Sequence, residues 1–445
     1  MKATISQSVI KGSVSIPSSK SMTIRAVMCA ALSAGESEII HPLVSDDTDA
    51  AILVLTKLGT IIRKGDDVWK VTGGKFHIVQ EGLNCGESAT TLRFMTAICS
   101  LIPGTHRLVG GPSLSKRPIG SLVDALTKLG VKATMERPGF PPVVVQGGTF
   151  KGGATEIPGN VSSQFISALL LVSPFSPKGV SIKLTTPLTS RPYVLMTLWC
   201  LKQFGINFQR EGNKFIVLRQ RYTPTSVKIE SDWSSASYFL ALGAMSEEGV
   251  LIQNLNMASL QGDRVIVDIL REMGANVRVS GSNILVKHAQ LKGIHADLSD
   301  CIDLLPTVAV LAAVAKGRTE LIGIQRARIK ESNRVAAVRE CLIKLGFTVI
   351  EGENHLTIIG KDFFRVITED DVEDTDEEEP SEEQYKSKGP VVLDSQGDHR
   401  IAMAFGVLGA ALGDIIIDGA ECVTKTFPSF WDELQKVGGQ VQING

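Results

Sequence analysis

Residues 18–25 read Ser18-Ser19-Lys20-Ser21-Met22-Thr23-Ile24-Arg25 and run straight into Ala26-Val27-Met28-Cys29-Ala30-Ala31-Leu32. Three serines, a lysine and an arginine therefore open a segment that is apolar on nearly every face. A helix with no polar stripe is buried on all sides, so this one belongs at the centre of a domain with its polar first turn directed towards water. That first turn carries unpaired backbone N–H groups and the positive end of the helix dipole. With hydroxyls, an ammonium and a guanidinium added, an anion fits there. A serine cluster on its own is only an N-cap, so the reading depends on whether the chain repeats the arrangement.

It does, six times. The openings Ser18 to Arg25, Glu87-Ser88-Ala89-Thr90-Thr91-Leu92-Arg93, Ser162-Ser163-Gln164, Ser234-Ser235-Ala236-Ser237, Asp303 and Asp398-His399-Arg400 each lead into an apolar run. Capping would supply the serines but not Arg25, Arg93 and Arg400. A second signal recurs at Leu58-Gly59, Leu129-Gly130, Phe204-Gly205, Met273-Gly274, Leu345-Gly346 and Val437-Gly438, with the first five glycines about 70 residues apart. An earlier glycine in each repeat, Gly35, Gly104, Gly179, Gly249, Gly317 or Gly413, is expected to close the first helix. Short β-branched runs such as Val180-Ser181-Ile182-Lys183-Leu184 follow and read as strands. The unit is helix, strand, helix, strand, turn, strand, and the fold class is α/β (α+β).

Composition narrows the chemistry. A chain of 445 residues with 43% hydrophobic content is long enough for two or three domains. Its seven cysteines are scattered through apolar runs without a Cys-x-x-Cys pair or zinc spacing, as expected of reduced core thiols in a cytoplasmic protein. The N-terminus has no basic-then-apolar signal, and no apolar run reaches the roughly 20 residues of a membrane span, so a soluble chain without a membrane partner is expected. The net charge of −1 hides an asymmetry, because residues 369–383 carry eleven acids and no base. Without them 46 bases face 47 − 11 = 36 acids, and a body of formal charge about +10 draws in small anions or nucleic acid. An aromatic content of 5% and the lack of a concentrated Lys/Arg stripe weigh against nucleic acid. The acidic insertion, about residues 368–388, has few apolar anchors and is expected to be unordered and dispensable.

Further cations stand in the connections Lys116-Arg117-Pro118-Ile119-Gly120, Arg328-Ile329-Lys330-Glu331-Ser332-Asn333-Arg334 and Thr424-Lys425-Thr426-Phe427-Pro428. Taken in order with Lys20-Ser21 to Arg25, Thr90 to Arg93, Ser162-Ser163-Gln164 and Gly397-Asp398-His399-Arg400, they cover nearly the whole chain in register with the repeats. On these motifs the sequence resembles the 5-enolpyruvylshikimate-3-phosphate synthase family.

The resemblance implies the enolpyruvyl transferase fold: two similar domains, each of three repeated units around buried helices, with the active site in the interdomain cleft. Residues 1–17 plus 228–445 would form one domain and 18–227 the other. It also implies transfer of the enolpyruvyl group of phosphoenolpyruvate to the 5-hydroxyl of shikimate 3-phosphate, with no metal or other cofactor, by a monomer. Such chemistry needs an acid for carbon, a base for the hydroxyl and fixed positive charge around two anions. By motif, Lys20 would touch both substrates. Ser21, Arg25, Ser162, Ser163, Gln164, Ser190, Tyr193, Asp303 and Lys330 would hold shikimate 3-phosphate, with Arg191 beside Ser190 and Tyr193. Ala89, Arg93, Arg117, Gln164, Arg334, Arg400 and Lys425 would hold phosphoenolpyruvate, the arginines because their planar fork matches carboxylate and phosphate oxygens. Asp303 would deprotonate the 5-hydroxyl, and Glu331 or Lys425 would protonate carbon. His399 reads as structural.

The sequence departs from the family pattern at Asn333 and Glu87, where Asp and Asn are commoner, and at Ala89, where glycine is usual. None of these removes a charge that the mechanism needs, and the methyl of Ala89 implies tolerance of the inhibitor glyphosate. A bulky Trp233 stands in the crossover, outside the proposed chemistry. Three other readings are weaker. A UDP-N-acetylglucosamine enolpyruvyl transferase would carry a reactive cysteine where this chain has Ser113-Leu114-Ser115-Lys116-Arg117. An RNA-terminal-phosphate cyclase would show a nucleotide site, and this chain has no Gly-x-x-x-x-Gly-Lys-Ser/Thr loop. A non-catalytic repeat binding protein would not place arginines at buried helix starts.

Overall fold

The structure, a computed structural model, describes residues 1–361 and 389–445. The acidic stretch at 369–383, and the expectation attached to it, lie outside the described residues. Among the described residues the α-helices come in six pairs: α1 (Lys20–Leu32) and α2 (Asp46–Lys57), α3 (Ala89–Ile98) and α4 (Gly120–Lys128), α5 (Ser163–Val172) and α6 (Arg191–Gln203), α7 (Trp233–Ala244) and α8 (Ile266–Glu272), α9 (Leu305–Ala313) and α10 (Arg334–Lys344), α11 (His399–Leu412) and α12 (Phe430–Lys436). The first helix of a pair is the apolar one. α1 is buried from Met22 to Leu32, and α3 along its whole length. Second helices bury one face, as α4 does with Leu122, Val123, Ala125 and Leu126. A fully buried leucine such as Leu170 contributes about 1.5–3 kcal/mol; charged first turns are tolerated because they are attached to such cores.

Each pair serves one four-stranded sheet, and there are six such sheets among the described residues. Gly153–Ile157 leads into α5 and runs parallel to Val180–Leu184, which follows it. Val180–Leu184 then pairs antiparallel with Lys214–Val217, and that strand with Gln209–Glu211. The sequence pattern contains three of these four strands. It misses the leading one because that strand is often too short to show alternation: Leu83–Asn84 has two residues, Ser226–Lys228 and His295–Asp297 three each. Helix ends are as expected after the second helices, where Gly59 and Gly346 take φ of 106° and 82° just past the helix. Of the earlier glycines, Gly413 caps α11 with φ 85° as expected, whereas Gly35, Gly104 and Gly317 open strands instead of closing helices.

Two leading strands are exchanged. Gly12–Ser15, before α1, pairs in parallel with Val250–Gln253, after α7. Ser226–Lys228, before α7, pairs in parallel with the end of Gly35–Ile40, after α1. The last sheet is completed by the beginning of the chain, with Lys2–Ser6 between Ile415–Asp418 and Gln440–Asn444 and antiparallel to both. The chain accordingly divides into two compact units, Pro17–Trp233 with Ala258–Gly262, and Met1–Ile16 with Ser234–Met257 and Asp263–Gly445. The second passage falls at Trp233, a little after Lys228, because the pairing of Ser226–Lys228 keeps that strand with the sheet of α1. Ala258–Gly262 is held there by Gln261, whose side chain accepts from Trp233 N–H at 3.1 Å and donates to Glu230 Oε1 at 2.9 Å and Ser231 O at 2.8 Å.

No helix among the described residues is long and apolar enough to cross a membrane. The seven cysteines are free thiols, six of them buried. Burial pushes Cys200 up to about 12, which leaves no reactive thiolate there near neutral pH.

Candidate active site

In the unit built on Pro17–Trp233 the charged groups stand at the openings of α1 and α3. Lys20 is the first residue of α1, and its Nζ lies 2.9 Å from Oδ2 of Asp47, with side chains 13% and 5% exposed. Asp47 belongs to the first turn of α2, behind a capping box of Ser45 and Thr48. The sequence reading missed it because acids at a helix start are ordinary dipole partners. One turn on, Arg25 is buried. Its Nε donates to Thr197 Oγ1 at 2.8 Å, one terminal nitrogen to Ser21 O at 2.8 Å and the other to Tyr193 O at 3.2 Å. The guanidinium stacks near the rings of Phe94 and Tyr193, and burial lowers its pKa. Arg25 thus ties the carbonyls of Ser21 and Tyr193 together.

Arg93 forms a second node. It donates to Ser162 Oγ at 3.2 Å, to Gln164 Oε1 at 2.5 Å and to Pro118 O at 3.0 Å, and it covers the ring of Phe165. Gln164 in turn donates to Thr90 Oγ1 at 2.9 Å, so the openings of α3 and α5 are stitched together. Ala89 is the buried first residue of α3, after the cap Ser88. Ser163 is the buried first residue of α5, and Arg117 is buried where a 3₁₀ turn, Leu114–Lys116, ends. Ser190 caps α6 with φ 51°, a left-handed conformation that costs a non-glycine residue roughly 1–2 kcal/mol, and the buried Ser190 side chain sits there in front of Arg191.

The other unit carries a denser cluster. Arg334, the first residue of α10, is 1% exposed and holds three carboxylates. Its Nε donates to Asp398 Oδ2 at 2.7 Å, one terminal nitrogen to Asp303 Oδ1 at 2.6 Å and the other to Glu331 Oε2 at 2.6 Å. Burial alone would lower its pKa, but Asp398, Glu331 and Asp303 outweigh burial and raise it. Asp303 also has Lys330 Nζ at 3.3 Å and an Arg400 nitrogen at 3.3 Å, while Lys425 Nζ is 3.8 Å from Glu331 Oε1. Four cations thus surround three acids, leaving one net positive charge in a site shielded from water. Asp398 organises the cluster from behind. Fully buried, it caps α11 through Arg400 N–H at 3.0 Å and accepts from Ser332 Oγ at 3.1 Å. The sequence places Asp398 in a motif but gives it no function, since a capping aspartate looks the same whether or not it also grips an arginine.

The site residues read from the sequence therefore fall into two sets. Lys20, Ser21, Arg25, Ala89, Arg93, Arg117, Ser162, Ser163, Gln164, Ser190 and Tyr193 lie in one unit; Asp303, Lys330, Glu331, Arg334, Arg400 and Lys425 lie in the other. The chemistry available is anion binding by both sets and proton transfer through the paired carboxylates and ammonium groups of the second.

Comparison with known proteins points to one family. The family model described as EPSP synthase (3-phosphoshikimate 1-carboxyvinyltransferase) matches residues 5–434. A 3-phosphoshikimate 1-carboxyvinyltransferase of Dehalococcoides mccartyi is 42% identical over 445 residues, covering 99% of each chain. One of Methanocaldococcus jannaschii is 37% identical over 441 residues, covering 98% of this chain and 97% of its own. Among solved structures, EPSP synthase from Acinetobacter baumannii superposes with a TM-score of 0.78 at 26% identity, over 99% of this chain and 100% of that one. The enolpyruvyl transferase NikO from Streptomyces tendae shares the fold, with a TM-score of 0.75 at 15% identity over 99% of this chain and 98% of its own. Repeats, charged helix openings and relatives matched from end to end lead to one assignment: the chain belongs to the EPSP synthase (3-phosphoshikimate 1-carboxyvinyltransferase) family.

Proposed function

We propose that this protein transfers the enolpyruvyl group of phosphoenolpyruvate to the 5-hydroxyl of shikimate 3-phosphate and releases phosphate, acting as a monomer in the cytoplasm. The observation that carries the reading is the buried Arg334 guanidinium, which gathers Asp303 and Glu331 beside Lys330, Arg400 and Lys425. The reaction asks for that set. The 5-hydroxyl adds to C2 while a proton reaches C3, and the tetrahedral adduct then loses a C3 proton and phosphate. Asp303 takes the hydroxyl proton, and Glu331 with Lys425 3.8 Å away exchanges the proton at C3. Anionic substrates compete with the two carboxylates for the surrounding cations, so binding releases lone pairs on Asp303 and Glu331 for proton transfer.

Arg334, Arg400 and Lys425 from this unit, and Ala89, Arg93, Arg117 and Gln164 from the other, are assigned to phosphoenolpyruvate. Ser21, Arg25, Ser162, Ser163, Gln164, Ser190 and Tyr193, with Lys330 and Asp303, are assigned to shikimate 3-phosphate, and Lys20 to both. The test is phosphate release from phosphoenolpyruvate with shikimate 3-phosphate or UDP-N-acetylglucosamine as acceptor. Turnover is expected only with the first, and turnover with the second alone overturns the reading. Asp303→Asn should keep substrate binding and lose kcat by about 10²-fold or more, because the amide cannot take a proton; loss of binding at unchanged kcat would make Asp303 a structural residue.

A further inference from the structure

Within the Pro17–Trp233 unit, Glu87 stands two residues before α3 and reaches across to the segment that carries Arg117. Its Oε2 accepts from Leu114 N–H at 2.7 Å and its Oε1 from Ser113 N–H at 3.2 Å. These amides open the 3₁₀ turn Leu114–Lys116, which has no side-chain cap of its own, and the turn ends at Arg117. Gly111 N–H donates to Gly86 O at 2.8 Å. A Cβ on Gly111 would stand 2.2 Å from Glu87 Oε1, so the glycine leaves the space that the carboxylate fills. Beyond the turn, Pro118 O accepts from Arg93 at 3.0 Å. The Arg117 segment is therefore fastened to α3 on both sides, by Glu87 before the arginine and by Arg93 after it.

We infer that Glu87 is a positioning residue: its carboxylate fixes the 110–117 segment against α3 and so sets where the Arg117 guanidinium meets phosphoenolpyruvate. This rests on the assignment of Arg117 to that substrate proposed above. A charged acceptor on two backbone N–H groups is a strong clamp. Because the clamp acts through an arginine that binds one substrate, its loss should appear in that substrate's KM and leave the other's alone. A positional error of about 1 Å in such a group costs up to roughly 10²-fold.

The test is steady-state kinetics on Glu87→Ala, Glu87→Gln, Gly111→Ala, Arg117→Ala and the Glu87→Ala/Arg117→Ala double variant. Glu87→Ala should raise the KM for phosphoenolpyruvate roughly 10-fold or more, with the KM for shikimate 3-phosphate and the thermal midpoint nearly unchanged. Glu87→Gln, with one acceptor oxygen left, should fall between it and the wild type. Gly111→Ala, which expels the carboxylate without removing it, should reproduce Glu87→Ala. In the Arg117→Ala background Glu87→Ala should add less than about twofold, because the group it positions is gone. Full additivity, or an effect on the KM for shikimate 3-phosphate, overturns the inference. If Arg117→Ala raises the KM for phosphoenolpyruvate and Glu87→Ala does not, this inference fails alone; if Arg117→Ala has no effect, the assignment of Arg117 fails with it.

Discussion

Burial lowers the Lys330 ammonium to about 8, with Asp303 at 3.3 Å opposing the shift. For stability the sign is that of a depressed lysine: below about pH 8 the folded state holds an unfavourably placed charge, and the penalty is relieved as pH rises towards the unfolded value. For binding the sign is opposite, because the anion needs the charged form. The value of kcat/KM for shikimate 3-phosphate should therefore fall above about pH 8, and Lys330→Arg, which stays protonated, should lose that limb of the pH profile. A profile unchanged in the arginine variant would assign the limb elsewhere. Ala89 supports a second prediction. Glyphosate is longer than phosphoenolpyruvate, so a methyl at this buried helix start should hinder the inhibitor more, by about 1–3 kcal/mol or roughly 10–200-fold. Ala89→Gly should become sensitive at matched, subsaturating phosphoenolpyruvate, with an equal or lower KM; equal inhibition of both proteins would refute the steric argument. The cations of the site were legible in the sequence because Arg93 and Arg400 are out of place near the start of apolar helices. Asp47 and Asp398, which pair with Lys20 and Arg334, were not, and neither was the clamp that Glu87 forms on the amides of Ser113 and Leu114, because an acid at a helix start already has a sufficient reason to be there.

At the level of elements, α10 and α11 are coupled through their first turns. Asp398 caps α11 and grips Arg334 at the start of α10 through two hydrogen bonds, 2.7 Å and 3.2 Å. Each helix opening is thus held by the other's charge. Asp398→Asn keeps a capping oxygen but removes the charge that the guanidinium faces, and it should cost about 1–3 kcal/mol in urea unfolding. It should also raise the KM for phosphoenolpyruvate, since Arg334 is then held by Asp303 and Glu331 alone. A variant of wild-type stability and kinetics would show that the coupling of the two helices does not need the charge. The first helix of each pair was readable as an apolar segment, since these helices are 9 to 14 residues long and buried almost throughout. The leading strands were not, because a strand of two or three residues is defined by its partner and not by its own pattern, as Leu83–Asn84 is by Leu108 and Val109.

Over the whole molecule, six repeats could be counted from glycine spacing, and the return of the chain to its first domain was implied by the family resemblance, but the exchange of Gly12–Ser15 for Ser226–Lys228 could not be read. Pairing between strands 188 and 238 residues apart leaves no local mark. Removing residues 1–6 should take the inner strand out of the last sheet together with the buried side chains of Ala3 and Ile5. Activity should be lost and the thermal transition of the larger discontinuous unit lowered, while hydrogen exchange in α1, α3 and α5 stays slow; an intact, active truncation would show that strand to be an ornament. The same strand also sets an order of events during synthesis. Lys2–Ser6 is synthesised long before the two strands that flank it in the sheet, Ile415–Asp418 and Gln440–Asn444. At roughly 5–20 residues per second, the unit of α1 to α6 has its sheets complete while the N-terminal strand still waits for nearly half the chain. Until those partners are made, that strand lacks both neighbours of its sheet and presents an unpaired β edge to which another chain could add.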